Sequence, residues 1–175
     1  MLPSRLSSYV IGACKILRGI LMRRFGLIFG GLALAAVVAG AGFAQAQGAF
    51  ADVIAARQAG YKATGANMGA IKKVLDAGGD LTTVAANAQG VSDWAKKIPT
   101  VFPTGSGAES GVKTAALQDI WVSKSEFEKL AVNLGAEADK LMVALKANDK
   151  TAAAAAFGAT GGACGACHRT YRAKT

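Results

Sequence analysis

The sequence contains very little histidine, cysteine and proline: one, three and three residues respectively out of 175. A single histidine leaves any site that needs two imidazole ligands without the second one. Aromatic residues make up 7% of the chain, and no run of basic residues is interleaved with them, which argues against a nucleic-acid partner. Hydrophobic residues make up 52% and charged residues 18%, a balance typical of a globular protein with a buried core.

The N-terminal region predicts an export signal. From Met22 the chain reads MRRFGLIFGGLALAAVVAGAGFAQAQ, in which two arginines precede an uncharged apolar run that ends in the small-x-small pattern AQA. This order is typical of a secretory signal with its cleavage site. We expect residues 1–46 to be removed by cleavage after Ala46, which places the mature domain, residues 47–175, in the periplasm.

The same region is also compatible with a membrane anchor and with a later start of translation. The apolar run 27–43 is close to the lower length of a transmembrane anchor, whereas cleavage would leave no stable membrane anchor. Residues 1–21 add a second apolar patch that an export signal does not need. Initiation at Met22 would account for that patch.

Removal of residues 1–46 changes both the charge and the cysteine count. The segment contains five basic residues and no acid, so the 20 basic and 11 acidic residues of the chain become 15 and 11. The formal net charge falls from +9 to +4, and the remaining lysines are scattered. Cys14 is lost as well, so any cysteine chemistry of the mature domain belongs to Cys164 and Cys167.

The two remaining cysteines belong to a CxxCH motif. The chain ends in GGACGACHRTYRAKT, where Cys164, Cys167 and His168 have this spacing. Cysteines three apart on a helix have poor disulfide geometry, and a structural zinc site would lack a fourth ligand. Covalent attachment of a c-type haem uses all three residues, because the thiols add to the vinyl groups and the imidazole binds the iron. The motif therefore predicts one haem c per chain, with His168 as the metal ligand; a chance match and a redox dithiol are the alternatives.

The mature domain predicts four helices. Apolar residues at helical spacing mark the first two, over 49–75 and 81–98. Their stripes are Ile54, Arg57, Tyr61, Met68, Ile71 and Leu75 in the first, and Val84, Ala88, Val91, Ala95 and Ile98 in the second. The segment DAGGD, 76–80, ends the first helix, and Pro99 closes the second.

A long connection, 99–123, precedes the third helix. It contains two prolines and three glycines, and we expect Phe102 and Trp121 to hold it against the core. Ser123 and Glu126 have the spacing of a capping box at the start of the third helix. The stripe of that helix is Phe127, Leu130, Leu134, Leu141 and Leu145.

The fourth helix carries the haem motif. It begins near Lys150, after a break at Asn148-Asp149, and its sequence TAAAAAFGATGGACGACH has four glycines before the histidine. A glycine within a helix costs about 1 kcal/mol relative to alanine. Small side chains here would let a flat porphyrin lie against the backbone; close helix packing is the alternative reason for them.

Three stretches resemble the cytochrome c′ family: RQAGYKATGANMGAIK in the first helix, IW before the third, and CGACHRTYR near the end. The resemblance covers the mature chain. It implies an all-α fold, an antiparallel four-helix bundle with haem bound covalently near the C-terminus, and this family is itself a standard example of that bundle. It also implies a homodimer, for which Val53 and Ala56, away from the haem-facing stripe, are the expected contacts.

The resemblance also indicates what lies opposite His168. In low-spin relatives a methionine of the first helix binds the iron, and Tyr61 stands at that position here. A tyrosine there resembles the high-spin members, in which it covers an empty distal face, so we expect five-coordinate iron. Met68 lies about 10 Å further along the same helix face and is the rival ligand, although it and Met142 equally fit the core. A tyrosinate ligand at Tyr61 is a further alternative.

Arg57, Arg172 and Trp121 complete the expected cofactor contacts. Arg57 lies one turn before Tyr61 on the apolar stripe, where an unpaired guanidinium is costly. A haem propionate would pair with it, as the resemblance also implies; the alternative is an arginine that snorkels to solvent. Arg172 follows His168 by four residues and lies on the same side of the helix. The resemblance places a basic residue near the proximal haem face there, whereas the alternative is an ordinary cation at a helix C-terminus.

Three functions fit such a site. The first is binding of small diatomic gases, nitric oxide and carbon monoxide, in nitric oxide protection, because an apolar, vacant distal face admits small neutral ligands. The second is electron transfer with an unidentified redox partner, through a six-coordinate Met-ligated haem if the iron is not five-coordinate. The third is an enzyme that reduces nitric oxide or peroxide, but peroxide chemistry needs a distal acid and base and no distal histidine is available. We favour gas binding by a protein that is not an enzyme.

Overall fold

The computed structural model describes residues 35–174, and the side chains of residues 50–174. Most of the expected export signal, including Met22, lies outside the described residues, and so does the side chain of Ala46 at the expected cleavage site. The described part of the chain is helical, without a strand and with a single isolated bridge. No helix in this part is long and apolar enough to cross a membrane.

The first helix, α1, is Ala35–Asp76. It begins before the predicted start near Ala49, because the alanine-rich stretch upstream also favours a helix. All six residues of its predicted stripe are buried or half-buried: Ile54, Arg57, Tyr61, Met68, Ile71 and Leu75. The predicted stop is confirmed, since Gly78 has a φ of 64° and Gly79 donates its N–H to the Val74 carbonyl at 3.1 Å.

The second helix, α2, is Ala85–Lys97, between a 3₁₀ turn at Leu81–Val84 and another at Ile98–Thr100. The predicted span is confirmed, but its first turn is 3₁₀ and not α-helical. Asp80 caps that turn, because its side chain accepts a hydrogen bond from the Thr82 N–H at 3.0 Å. All five residues of the predicted stripe are buried: Val84, Ala88, Val91, Ala95 and Ile98.

The connection after α2 contains a 3₁₀ turn, Ala108–Ser110, and a single helical turn, α3, at Asp119–Val122. The next helix, α4, is Lys124–Lys146. Its predicted stripe faces the interior along the whole length of the helix, with every member buried or half-buried: Phe127, Leu130, Leu134, Leu141 and Leu145.

The capping box predicted at the start of α4 is wrong. Ser123 makes no side-chain capping bond, and Glu126 instead accepts a bond from Lys129 at 2.7 Å. Ser123 closes α3 as well as opening α4, and its ψ of 46° is not the extended conformation from which a side chain reaches back to a helix N-terminus. The short helical turn before α4 therefore removes the cap.

The last helix, α5, is Lys150–Tyr171 and carries the CxxCH motif, as predicted. The break before it is also confirmed. Asn148 has a φ of 53°, and Asp149 caps α5 by accepting a hydrogen bond from the Ala152 N–H at 2.9 Å. The motif therefore stands on a helix with a defined start.

The connection is fastened to the C-terminal end of α5. The Leu117 N–H donates to the Tyr171 carbonyl at 3.0 Å, and the Ala173 N–H donates to the Ala115 carbonyl at 2.9 Å. These bonds form the isolated bridge and hold an irregular segment beside the haem motif.

The four long helices, α1, α2, α4 and α5, form the predicted antiparallel four-helix bundle. Helix α4 packs along both α2 and α5, and α1 packs mainly against α2. The sparse packing of α1 on α5 leaves space between them. The core forms two clusters, one around Phe102 and Phe127 next to the cysteines, and one around Leu141 and Leu145 further along the bundle.

Candidate functional site

A cavity of about 720 Å³ lies between α1, α4, α5 and the connection. Cys164, Cys167 and His168 line it from α5, and Arg57 and Tyr61 line it from α1. Most of the remaining wall is apolar, with Ile98, Phe102, Ile120, Phe127, Leu130 and Leu134 among the lining residues. The cavity can therefore hold a large apolar group next to two thiols and an imidazole.

The pKa values of the two thiols argue against a redox dithiol. Burial raises the pKa of the Cys167 thiol to about 11, with Cys164 adding to the shift, so both thiols are neutral at pH 7. A redox dithiol depends instead on a lowered thiol pKa. Partial burial and the nearby Arg172 lower the pKa of His168, which keeps its imidazole neutral and able to bind a metal.

Three of the four glycines of α5 do not arise from close helix packing. A methyl group added at Gly158, Gly161 or Gly162 would meet nothing within 4 Å, so no neighbouring helix requires these residues to be glycine. Gly161 lines the cavity. At that position the backbone of α5 is open to whatever the cavity contains.

Arg57 is buried at the cavity wall, so the alternative that it snorkels to solvent is wrong. Its exposed fraction is 2%. Its guanidinium donates to the Ser106 hydroxyl at 2.8 Å, to the Ser106 carbonyl at 2.7 Å and to the Thr114 hydroxyl at 2.8 Å. It also lies 4.5 Å from the ring centroid of Phe102. Burial lowers the pKa of Arg57, an effect that Tyr61 and Glu109 oppose.

The acceptors around Arg57 are all uncharged. Among the described residues, no carboxylate comes within salt-bridge distance of its guanidinium. A buried cation without an anionic partner is costly in a protein interior. The cavity wall is therefore suited to a ligand that brings a negative charge, as a haem propionate does.

Tyr61 projects into the cavity between two other aromatic rings. Its ring centroid lies 5.2 Å from that of Trp94 and 6.4 Å from that of Phe102, both in edge-to-face arrangements. Burial raises the pKa of the Tyr61 phenol above its usual range, and the Cys167 thiol adds to this shift. Burial therefore keeps the phenol neutral at pH 7.

The other predicted residues occupy different positions. Met68 lines the cavity, whereas Met142 packs against the second core cluster. Arg172 lines the cavity and is exposed. Trp121 does not line the cavity: its ring packs 6.3 Å from Phe102, and its indole N–H donates to the Phe102 carbonyl at 3.2 Å. Its position is that of a residue that holds the connection in place, as predicted for that segment.

Several residues of the site could not be predicted from the sequence. Ser106 and Thr114, the partners of Arg57, lie 49 and 57 residues away along the chain in an irregular segment without periodicity. Trp94 lies on α2 outside the predicted stripe. The composition of these segments carries no local signal for such contacts, which arise only from the tertiary fold.

The cavity, the CxxCH motif and the buried cation together fit a flat, apolar macrocycle that bears acidic groups. A family model for cytochrome c′ matches residues 52–172 of the chain. The chain belongs to the cytochrome c′ family. Members of this family carry a covalently bound c-type haem, and haem c is therefore the cofactor of this cytochrome c′.

Similar proteins include some named cytochrome c-556 and some named cytochrome c′. Cytochrome c-556 of Agrobacterium tumefaciens (strain II Chrys) is 38% identical over 120 residues, which cover 67% of this chain and 94% of the relative. Cytochrome c′ of Rhodopseudomonas palustris (strain ATCC BAA-98 / CGA009) is 37% identical over 140 residues, which cover 79% of this chain and 91% of the relative.

Solved structures of cytochromes c′ have the same fold. The protein from Thermochromatium tepidum matches with a TM-score of 0.67 and 33% identity, over 71% of this chain and 97% of that one. A second cytochrome c′, with a TM-score of 0.66, 30% identity and the same coverage, has an unusual ligand-controlled dimer dissociation. A mutant from Alcaligenes xylosoxidans, with a TM-score of 0.63 and 25% identity over 71% of this chain and 95% of that one, was solved as a nitric oxide complex.

Proposed function

We propose that this cytochrome c′ is a periplasmic haem protein with five-coordinate, high-spin iron that binds nitric oxide and carbon monoxide and protects against nitric oxide. The observation that carries the proposal is the position of Tyr61. Its neutral side chain lies in the cavity that His168 also lines, and the chain has no second histidine to take the opposite side of the iron. An uncharged, bulky residue at this place shields the metal without binding it.

Five further predicted site residues have a role in this proposal, whereas Trp121 has none because it does not line the cavity. Cys164 and Cys167 would hold the haem covalently, and His168 would bind its iron. The haem iron supplies the position at which a neutral diatomic gas is held. Arg57 would pair with a propionate, for which a buried guanidinium without a salt bridge among the described residues is suited. Arg172 lies beside His168 and adds to the effect of burial, which lowers the pKa of the imidazole.

The relatives support the choice of ligand and assembly. Another member of the family has been solved with nitric oxide bound, and a further member is a dimer whose dissociation is controlled by a ligand. We extend both properties to this chain as proposals, namely small gaseous ligands and a homodimer. Residues 1–46, the expected export signal, support a periplasmic location.

The second candidate function is electron transfer with a redox partner. The observation that favours it is Met68, whose side chain lines the same cavity as Tyr61 and His168. A methionine ligand would make the iron six-coordinate and low spin. Met68 also packs against both core clusters, however, which accounts for its position without a bond to iron.

The rate of carbon monoxide association distinguishes the two functions. We expect Tyr61→Ala to accelerate association with the reduced holoprotein by about tenfold or more, the factor that corresponds to ~1.4 kcal/mol of barrier. Met68→Leu should leave the rate close to that of the unmodified protein. If Met68→Leu opened the site and Tyr61→Ala did not, electron transfer with a methionine ligand would replace gas binding.

A further inference from the structure

Trp94 packs against Tyr61, the residue that covers the distal side of the site in the proposed function. Trp94 itself does not line the cavity. It lies on α2, half-buried, and its ring centroid is 5.2 Å from that of Tyr61 at an interplanar angle of 79°. Phe102, the other ring next to Tyr61, is 6.4 Å away. Trp94 is therefore the closer of the two aromatic neighbours, and any effect it has on a ligand in the cavity is transmitted through Tyr61.

Gly60 allows this contact. A methyl group at residue 60 would overlap the Cη2 and Cζ3 atoms of the Trp94 indole, so only glycine lets the ring approach α1 at this point. Gly60 immediately precedes Tyr61 on the helix. Because residue 60 has no side chain, the Trp94 indole can pack against both Gly60 and the ring of Tyr61.

The indole N–H of Trp94 contributes no hydrogen bond. Its Nε1 atom is buried, and within the described part of the chain it has no acceptor. A buried donor without a partner is unfavourable, so hydrogen bonding does not account for a tryptophan here. The contribution of Trp94 is therefore the packing of its ring, which contacts both Gly60 and Tyr61.

We propose that Trp94 is a positioning residue that holds the Tyr61 ring over the distal side of the site and so slows the entry of small gases. The inference rests on the proposed function, in which Tyr61 has to move before a diatomic ligand fits. Moving Tyr61 breaks its edge-to-face contact with Trp94, and the loss of this contact adds to the barrier. Gly60 is the residue that makes the restraint possible.

Carbon monoxide association with the reduced holoprotein, followed after flash photolysis, tests this role. We expect Trp94→Leu to accelerate association about threefold to tenfold, the factor that an aromatic pair provides. Trp94→Phe keeps an aromatic edge against Tyr61 and should retain most of the slow rate. In a Tyr61→Ala background, Trp94→Leu should give no further acceleration, because the side chain that it restrains is gone.

A control separates this role from a general loss of stability. Leu141→Ala removes a buried side chain from the second core cluster, away from the aromatic rings, and should destabilise the protein without changing the association rate.

Gly60→Ala gives an independent test, because its methyl group displaces the indole. It should accelerate association in the native background and have no effect on the rate in a Trp94→Ala background.

Two results would overturn the inference: an unchanged rate in Trp94→Leu, or an equal acceleration by Trp94→Leu with and without Tyr61. Either result leaves the proposed function intact if Tyr61→Ala alone accelerates association. An unchanged rate in Tyr61→Ala would instead contradict the proposed function. The two failures are therefore distinguishable in one set of variants.

Discussion

Arg57 illustrates how a single residue joins the helix bundle to the connection. Its position on an apolar helical stripe is visible in the sequence, and from it the need for a buried partner could be predicted. The partners could not, because Ser106 and Thr114 lie in a segment without periodic pattern, 49 and 57 residues away. The side chain spans the gap between α1 and that segment with three hydrogen bonds, which makes it a structural link as well as a candidate cofactor contact.

Replacement of Arg57 by leucine should destabilise the holoprotein. The change leaves the hydroxyl and the carbonyl of the buried Ser106 without their donor, and each buried polar group without a partner costs about 1–3 kcal/mol. Lys113→Leu, which removes an exposed cation next to Thr114, is the control and should change the free energy of unfolding by less than ~0.5 kcal/mol. Urea unfolding of both holoproteins measures the difference, and equal effects would contradict the assigned role.

The helices differ in how well their ends could be predicted. Glycine and asparagine with positive φ mark the ends of α1 and α4, and both breaks were predicted because few other residues adopt that conformation. The capping box at Ser123 satisfied the same kind of local rule and failed. The reason is that the single turn α3 precedes it directly and fixes its backbone. A four-residue helical turn is too short to leave a periodic pattern in the sequence.

The two candidate caps lead to opposite expectations for alanine substitution. Asp149→Ala removes the oxygen that accepts the Ala152 N–H and should lower the free energy of unfolding by about 1 kcal/mol. Ser123→Ala removes no capping bond and should change it by less than ~0.5 kcal/mol. Asp149→Asn keeps a capping oxygen and should behave like the unmodified protein. Thermal or urea unfolding checks the order, and a larger loss in Ser123→Ala than in Asp149→Ala would contradict the assigned caps.

At the scale of the whole molecule, the bundle could be predicted from three apolar stripes at helical spacing and from the haem motif in the last helix. In the structure every residue of those stripes is buried or half-buried. The cavity could be predicted only as a requirement of that motif. Its walls depend on the sparse packing of α1 on α5 and on the bridge between the connection and the end of α5, neither of which has a sequence pattern. The aromatic contact of Trp94 with Tyr61 belongs to the same class of tertiary features.

The proposed homodimer predicts a specific effect on assembly. Val53 is half-buried and Ala56 is exposed on α1, and we expect both in the contact between subunits. Ala56→Glu would place like charges on both sides of a symmetric interface and should convert a dimer into a monomer. Ala136→Glu, at an exposed position of α4, is the control and should remain dimeric. Sedimentation at micromolar concentration measures all three, and a monomeric unmodified protein would remove the proposal.

The spin state of the iron tests the central claim most directly, because gas binding and electron transfer differ in whether its sixth position is occupied. The measurement is the absorption spectrum of the purified, unmodified holoprotein in the oxidised and reduced states, extended to the near infrared. We predict a high-spin spectrum in both states, with His168 as the only axial ligand from the chain. A low-spin spectrum with a methionine-to-iron charge-transfer band would contradict five-coordinate iron and assign Met68 as the sixth ligand.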